Sequence, residues 1–267
     1  MNIQLAEFFW APSPEIFNGL PVRWYGLLFV IGFFGAYYVL QKMFKVEKLE
    51  QKSLDTLVFY MVIATVVGAR LGHCLFYEPD IYLKDPISIL KVWEGGLASH
   101  GAAIAIFIAA LLFIRKYRNF TFLHLADLVC VVIPFTAMCV RIGNFINSEI
   151  LGAPCDMPWA VVFSLKDSLP RHPAQLYEAL AYLILFIIMV YLYFKKRSKF
   201  NEGFLSGVFL IVMFVCRFLI EYVKDVQVEF ENSLFLHMGQ LLSLPFILLG
   251  IFLIVYSYKK PTPPNKV

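Results

Sequence analysis

Seven stretches of this sequence run for about twenty residues with few charges: 22–41, 54–76, 96–114, 122–140, 174–194, 203–222 and 239–258. Bilayer hydrocarbon is about 30 Å thick, and roughly 20 mostly apolar residues in a helix, within a range of about 17 to 25, cross it. Only helices and closed barrels satisfy every backbone polar group in lipid, and runs of this length read as helices. Composition agrees: 60% of the 267 residues are hydrophobic and 16% charged, with mean hydropathy +0.72. Soluble domains are nearer half apolar and a quarter charged. The expected fold is therefore an all-α polytopic membrane protein with seven transmembrane helices, in a single integral-membrane domain over residues 1–267. The third run, GLASHGAAIAIFIAALLFI, is the weakest because it begins with a polar patch. No basic segment precedes an apolar one at the N-terminus, so no signal peptide is expected. Neither an internal repeat nor a soluble domain is visible, and only the tail KKPTPPNK is of low complexity.

Lys and Arg mark the cytoplasmic loops of membrane proteins. The connections at 42–53, 115–121 and 195–202 and the tail after 258 hold fourteen basic residues, whereas those at 77–95, 141–173 and 223–238 hold six. The remaining three, Arg23, Arg70 and Arg217, lie inside the apolar runs. This asymmetry predicts a periplasmic N-terminus, a cytoplasmic C-terminus and a periplasmic loop over 141–173.

That orientation sorts the polar residues by depth. Trp24 and Tyr25 fall at the outer end of the first span, Arg70 and His73 at that of the second, and Glu94 and His100 at that of the third. Arg141 ends the fourth; Arg171, His172 and Glu178 open the fifth; Arg217 and Glu221 close the sixth; His237 and Gln240 begin the seventh. An Arg or Asp at a helix centre costs about 2.5–3.5 kcal/mol, so such residues face a bundle interior or wet cavity and pair there. Arg217 and Glu221 are four residues apart and share a helix face. The segment RIGNFINSEILG (141–152) offers Arg141, Asn144, Asn147, Ser148 and Glu149 within nine positions and reads as one wall of an outward-opening polar cavity. Gly143 and Gly152 are expected to turn the chain there, since glycine accepts positive φ.

Guanidinium donates two parallel hydrogen bonds to phosphate oxygens, and the phosphate available at this depth belongs to a lipid headgroup. A lone Arg at a helix end more simply snorkels or ties helices together; Arg217, inside its span beside Glu221, is harder to explain in that way. The residues alone thus specify an outward-facing phospholipid site. A phospholipid transporter or flippase is the alternative, although transporters place polar groups at mid-depth. A structural or assembly protein accounts for the spans but not for the cluster.

Other chemistries find no support. HExxH, GxSxG and GxGD segments are absent from the sequence, which discounts zinc proteases, serine hydrolases and intramembrane aspartyl proteases. Cys74, Cys130, Cys139, Cys155 and Cys216 show no CxxC spacing; all but Cys155 lie in apolar runs and read as packing residues, with one periplasmic disulfide left open. No His pair has metal-ligand spacing. His124 and Asp127, at the inner half of the fourth span, read as structural, and Pro134 is expected to kink that span.

RIGNFINSEILG resembles the signature of bacterial prolipoprotein diacylglyceryl transferases, which reads Arg, apolar, Gly-Asn-Phe-x-Asn-x-Glu-x-x-Gly. VRWYG (22–26), GARLGH (68–73), GGLASHG (95–101), GAPCDMPWAVVF (152–163), RHPAQLYE (171–178), RFLIEY (217–222) and MGQLLSLP (238–245) resemble further family segments in family order, from about residue 20 to 258. The resemblance implies transfer of the sn-1,2-diacylglyceryl group of phosphatidylglycerol to the lipobox cysteine thiol of a prolipoprotein signal peptide, giving a thioether and glycerol phosphate. It implies no metal or organic cofactor. By motif it makes Arg141 and Arg217 the principal functional arginines and His100 the candidate base, with Tyr25, Asn144, Glu149, Gly152 and Glu221 in other functional positions. Two departures stand out. Met213 occupies the position, four residues before the second arginine, where the family usually has Tyr, and Gly101-Ala102 replaces the usual Gly-Gly.

Overall fold

The computed structural model describes residues 8–17, 22–91, 96, 98–225 and 235–259. The elements are β1 (Phe8–Trp10), α1 (Trp24–Val46), α2 (Gln51–Phe76), α3 (Pro79–Tyr82), α4 (Ser99–Lys116), α5 (Phe122–Ile146), β2 (Val161–Phe163), β3 (Pro170–Arg171), α6 (Ala174–Lys196), α7 (Phe204–Ile220) and α8 (Met238–Lys259). One long helix overlaps each apolar run. Six of these helices are long and apolar enough to cross a membrane, namely α1, α2, α5, α6, α8 and α7 extended to Val223, and α4 adds an 18-residue apolar helix at the third run. Glu94, expected at the outer end of that run, lies outside the described residues, as does the tail from residue 260.

The chain forms two compact units, Leu40–Leu125 and the remainder, with boundaries inside α1 and α5. Within Leu40–Leu125, α2 and α4 cross with almost no side chain between them. A Cβ added to Gly101 would lie 2.2 Å from the Gly68 carbonyl oxygen, and one added to Gly72 would lie 2.7 Å from Gly101 Cα. Lipid tails are as apolar as Leu, so helices in a bilayer associate through such close backbone packing. Arg70 is 2% exposed, and its guanidinium donates to the carbonyls of Ser88 (2.6 Å), Ile89 (3.0 Å) and Gly96 (3.4 Å) while lying over the Tyr82 ring. This arginine pins the segment after α3 onto α2. His124 pairs with Glu47, consistent with the structural reading of that histidine.

In the other unit, Asp127 caps α7. Its carboxylate accepts from the backbone N–H of Gly203 (2.9 Å) and from both the N–H and the hydroxyl of Ser206 (2.8 Å each), with Arg197 Nη1 at 3.5 Å. Helix N-termini carry unsatisfied donors and partial positive charge, which is why a buried carboxylate is stable there. Asp127 therefore also fits its structural reading.

A three-stranded sheet sits at the end of α5 in order β1-β2-β3, with β1 parallel and β3 antiparallel to β2. Phe145, Val161 and Phe163 form its core; Trp10 packs on Phe145 and donates its indole N–H to the Phe145 carbonyl at 3.0 Å. The segment expected as loop from 141 is helical to Ile146, so Arg141 and Asn144 belong to the last turns of α5. A helix that leaves the hydrocarbon need not stop at its first polar residue. All five cysteines are free.

Candidate active site

The end of α5 is closed by backbone geometry. Glu149 N–H donates to the Asn144 carbonyl (2.9 Å) and Ser148 N–H to the Phe145 carbonyl (3.1 Å). These are the paired bonds of a Schellman motif, whose terminating residue is left-handed and most often glycine. Here that residue is Ser148 at φ 53°, and Ile150 follows at φ 55°. Gly143 and Gly152 do not have positive φ, contrary to expectation. Their requirement is space: a Cβ on Gly143 would meet the Tyr25 ring at 2.8 Å, and one on Gly152 would meet the His172 carbonyl oxygen at 2.2 Å.

Helical spacing puts Arg141 and Asn144 on one face. Arg141 Nη1 donates to Asn144 Oδ1 at 3.2 Å, and Asn144 Nδ2 donates to Glu149 Oε2 at 2.9 Å. Asn147 Nδ2 donates to the other Glu149 oxygen at 3.2 Å. Glu149, at the exposed edge, therefore orients Arg141 through Asn144 rather than pairing with it. Gln175, fully buried in α6, donates to the Glu149 carbonyl at 2.6 Å and fixes the turn from the other side.

The charge partner of Arg141 is Glu178, whose side chain is fully buried in the second turn of α6. Arg141 Nε lies 2.9 Å from Glu178 Oε2, a contact ion pair without the alignment of a linear hydrogen bond. Lys224 Nζ donates to Glu178 Oε1 at 2.9 Å and to Glu221 Oε2 at 3.1 Å, and the Tyr182 hydroxyl donates to Glu178 Oε1 at 3.3 Å. Arg141 and Arg217 both act electrostatically on the Tyr182 phenol, and Arg141 and Glu149 on that of Tyr25. Glu221 rests on Gly239, where a Cβ would lie 2.2 Å from its Oε1. Among the described residues Arg217 has no ion-pair partner. The expected Arg217–Glu221 contact is absent because α7 ends at Ile220 and Glu221 begins a 3-10 turn, in which it faces Lys224.

Main-chain pairing brings these sequence-distant groups together. Ala153 N–H donates to the Val223 carbonyl (2.9 Å) and Asp225 N–H to the Leu151 carbonyl (3.1 Å), about a bridge between Gly152 and Lys224. Arg171 locks this crossing: it donates to Asp167 (2.6 and 3.0 Å), to Asp225 (2.7 Å) and to the Gly152 carbonyl (3.1 Å). With its donors engaged, Arg171 is a clamp rather than an anion receptor.

Tyr25, Arg141, Asn144, Glu149, Gly152, Arg217 and Glu221 thus belong to one unit. His100 belongs to Leu40–Leu125, exposed in the first turn of α4. Sequence reasoning missed Lys224, gave Glu178 no role and passed over Tyr182 and Gln175. A lone carboxylate inside an apolar helix was the available signal for Glu178, since an intramembrane charge needs a partner. For Lys224 it was the spacing of Arg217, Glu221 and Lys224 along about two turns.

The Arg171 guanidinium holds the Asp167 carboxyl below its ordinary range, and Asp167 with Asp225 raises Arg171. A lowered carboxyl pKa contributes stability that is complete above the unfolded value, about 3.9, and is lost as pH falls through the folded value. Pepsin cleavage between Cys155 and Leu169 should therefore stay slow at pH 4 and accelerate below it. Asp167→Asn should remove that pH dependence while leaving the loop more accessible throughout.

A model of the family described as prolipoprotein diacylglyceryl transferase matches residues 14–256. Similar proteins include phosphatidylglycerol–prolipoprotein diacylglyceryl transferases of Bacteroides fragilis, 42% identical over 97% of this chain and 99% of the relative, and of Tolumonas auensis, 46% identical over 94% and 98%. That of Chloroherpeton thalassium is 41% identical over 94% of this chain and 95% of its own length. A match across nearly the whole length, through the segment that builds the buried charge cluster, places this chain in the prolipoprotein diacylglyceryl transferase family.

Proposed function

We propose that this protein transfers the sn-1,2-diacylglyceryl group of phosphatidylglycerol to the lipobox cysteine of a prolipoprotein signal peptide. The observation that carries this reading, beside family membership, is the buried cluster itself. Arg141 and Lys224 are paired to the buried Glu178, Lys224 also to Glu221, and Arg217 has no ion-pair partner among the described residues. A phosphodiester monoanion is a partner suited to that guanidinium.

In the proposed step the cysteine thiolate attacks the glyceryl carbon that bears the phosphate ester. A C–S bond forms, the C–O bond breaks, and its electron pair leaves on the phosphate of glycerol phosphate. Negative charge grows on that oxygen, and donors already oriented in a poorly hydrated site stabilise it without reorganising. Arg141 is held for this role by Asn144 on one side and Glu178 on the other, and Arg217 brings an uncompensated charge. A free thiol, with a pKa near 8.5, is mostly protonated at neutral pH. Imidazole is the side chain suited to accept its proton there, and His100 is the residue assigned to it. Both substrates are membrane-borne, so the site opens sideways to lipid. Tyr25, Asn144, Glu149, Gly152 and Glu221 shape the lipid site.

The topology that serves this reaction has seven spans in the inner membrane, the N-terminus and active site facing the periplasm and the C-terminus facing the cytoplasm. A membrane-impermeant thiol reagent on spheroplasts should label a single cysteine introduced near Asp167 and miss one near Lys199; the opposite pattern sinks this orientation.

Purified protein incubated with phosphatidylglycerol and a lipobox peptide should raise the peptide mass by one diacylglyceryl group. Phosphatidylethanolamine in matched vesicles should support little or no turnover, and equal use of the two lipids would refute the donor assignment.

Arg141→Lys keeps the charge but loses the planar fork. Its turnover should fall nearly as far as that of Arg141→Ala, by roughly 10²–10³-fold, the usual effect of deleting one preorganised oxyanion donor. Near-normal turnover by the Lys variant contradicts the proposal that Arg141 grips the phosphate through two parallel hydrogen bonds. The His100→Gln defect should be partly relieved at high pH, where a thiol ionises unaided, while the Arg141 defect persists.

A further inference from the structure

Tyr182 lies two turns inside α6, at the second apolar turn after Ala174 where lipid contact would be the default. It is 1% exposed, and its hydroxyl is directed into the charge cluster. The phenol donates to Glu178 Oε1, the oxygen that also receives Lys224 Nζ. Arg141 is paired to the other Glu178 oxygen, and both Arg141 and Arg217 act on the phenol electrostatically. Met213, one turn before Arg217 on α7 and so on the same helix face, brings no hydroxyl to this place.

A neutral phenol suits such a position. It accepts from a guanidinium and donates to a carboxylate at once, so it couples them without adding a charge that would have to be desolvated. Two guanidiniums gathered for one phosphate repel each other when the site is empty, and the Glu178 carboxylate that Tyr182 helps to hold offsets part of that repulsion at Arg141. Phenylalanine in its place would fill nearly the same volume and leave Glu178 with one donor fewer.

We propose that Tyr182 is a positioning residue that, through Glu178, holds Arg141 in register with Arg217 as one anion-binding pair. This rests on the proposed function for the identity of the anion. It is a property of the lipid-binding step and can be read without turnover. Because Tyr182 acts through Arg141, removal of its hydroxyl should matter only while Arg141 is present.

The test is a double-mutant cycle on the full-length protein in detergent, using wild type, Tyr182→Phe, Arg141→Ala and the double variant. Each is titrated with dihexanoyl phosphatidylglycerol, and affinities are normalised to protein that elutes folded by size exclusion. Tyr182→Phe should weaken binding about fivefold to tenfold with an unchanged folded fraction, Arg141→Ala should weaken it further, and the double variant should match Arg141→Ala. Wild-type affinity in Tyr182→Phe, or a double-variant loss equal to the product of the single losses, would overturn the proposal. So would a folded-fraction loss in Tyr182→Phe with normal affinity per folded molecule. Wild-type turnover with a lipobox peptide, run beside the cycle, reports on the proposed reaction separately: binding coupled through Tyr182 without peptide modification would leave this inference standing and remove that reaction.

Discussion

A single carboxylate with no solvent contact organises the charge cluster of the larger unit. Glu178 meets Arg141 on one oxygen and receives Lys224 and Tyr182 on the other. Burying a carboxylate costs several kcal/mol, and removing one partner of a buried pair typically costs about 3–5 kcal/mol because the other charge is stranded. Each group around Glu178 is thus restrained by the energy of abandoning the others. A surface ion pair, whose median contribution is about 0–1 kcal/mol, would allow the arginine to wander. The same guanidinium on the surface would be a sticky charge; here it is an aimed one.

That hub can exist only because the ends of three helices are brought to one place by the main chain. The pairing of 151–153 with 223–225, clamped by Arg171, joins the exit from α5 to the exit from α7. The small sheet on Phe145 fixes the other side of the same exit. Arginines in this protein therefore divide by what satisfies them. Arg70 spends its donors on carbonyls and Arg171 on carboxylates and a carbonyl, so both serve the frame. Arg141 is held by Asn144 and Glu178, and Arg217 has no ion-pair partner among the described residues.

The helices were legible in the sequence because lipid imposes a length, and an apolar run of that length leaves few alternatives. Their ends were less legible. Arg141 looked like the start of a loop, yet α5 continues to Ile146, since interfacial polar residues remain helical until a cap stops them. The motif residues from Tyr25 to Glu221 were readable as a group, but their pairing was not. Arg141 chose Glu178, 37 residues away, over its neighbour Glu149, and Glu221 chose Lys224 over Arg217. Sequence spacing reports which groups share a helix face; it says little about which partner a crossing element brings. Glycine was misread for a related reason: in 141–152 it provides close approach, and the turning falls to Ser148 and Ile150.

Those two left-handed residues flank Glu149, and each costs about 1–2 kcal/mol for an L-amino acid relative to its right-handed form, with a β-branched residue such as Ile150 the less comfortable of the two. Position 148 is consequently governed by handedness as well as by its burial. Glycine or asparagine fits the backbone there as well as serine does, whereas valine or threonine does not, whatever polarity it brings. A drift of sequence through this stretch is therefore filtered twice, at 149 by what the carboxylate holds and at its two neighbours by the stereochemistry of the chain alone.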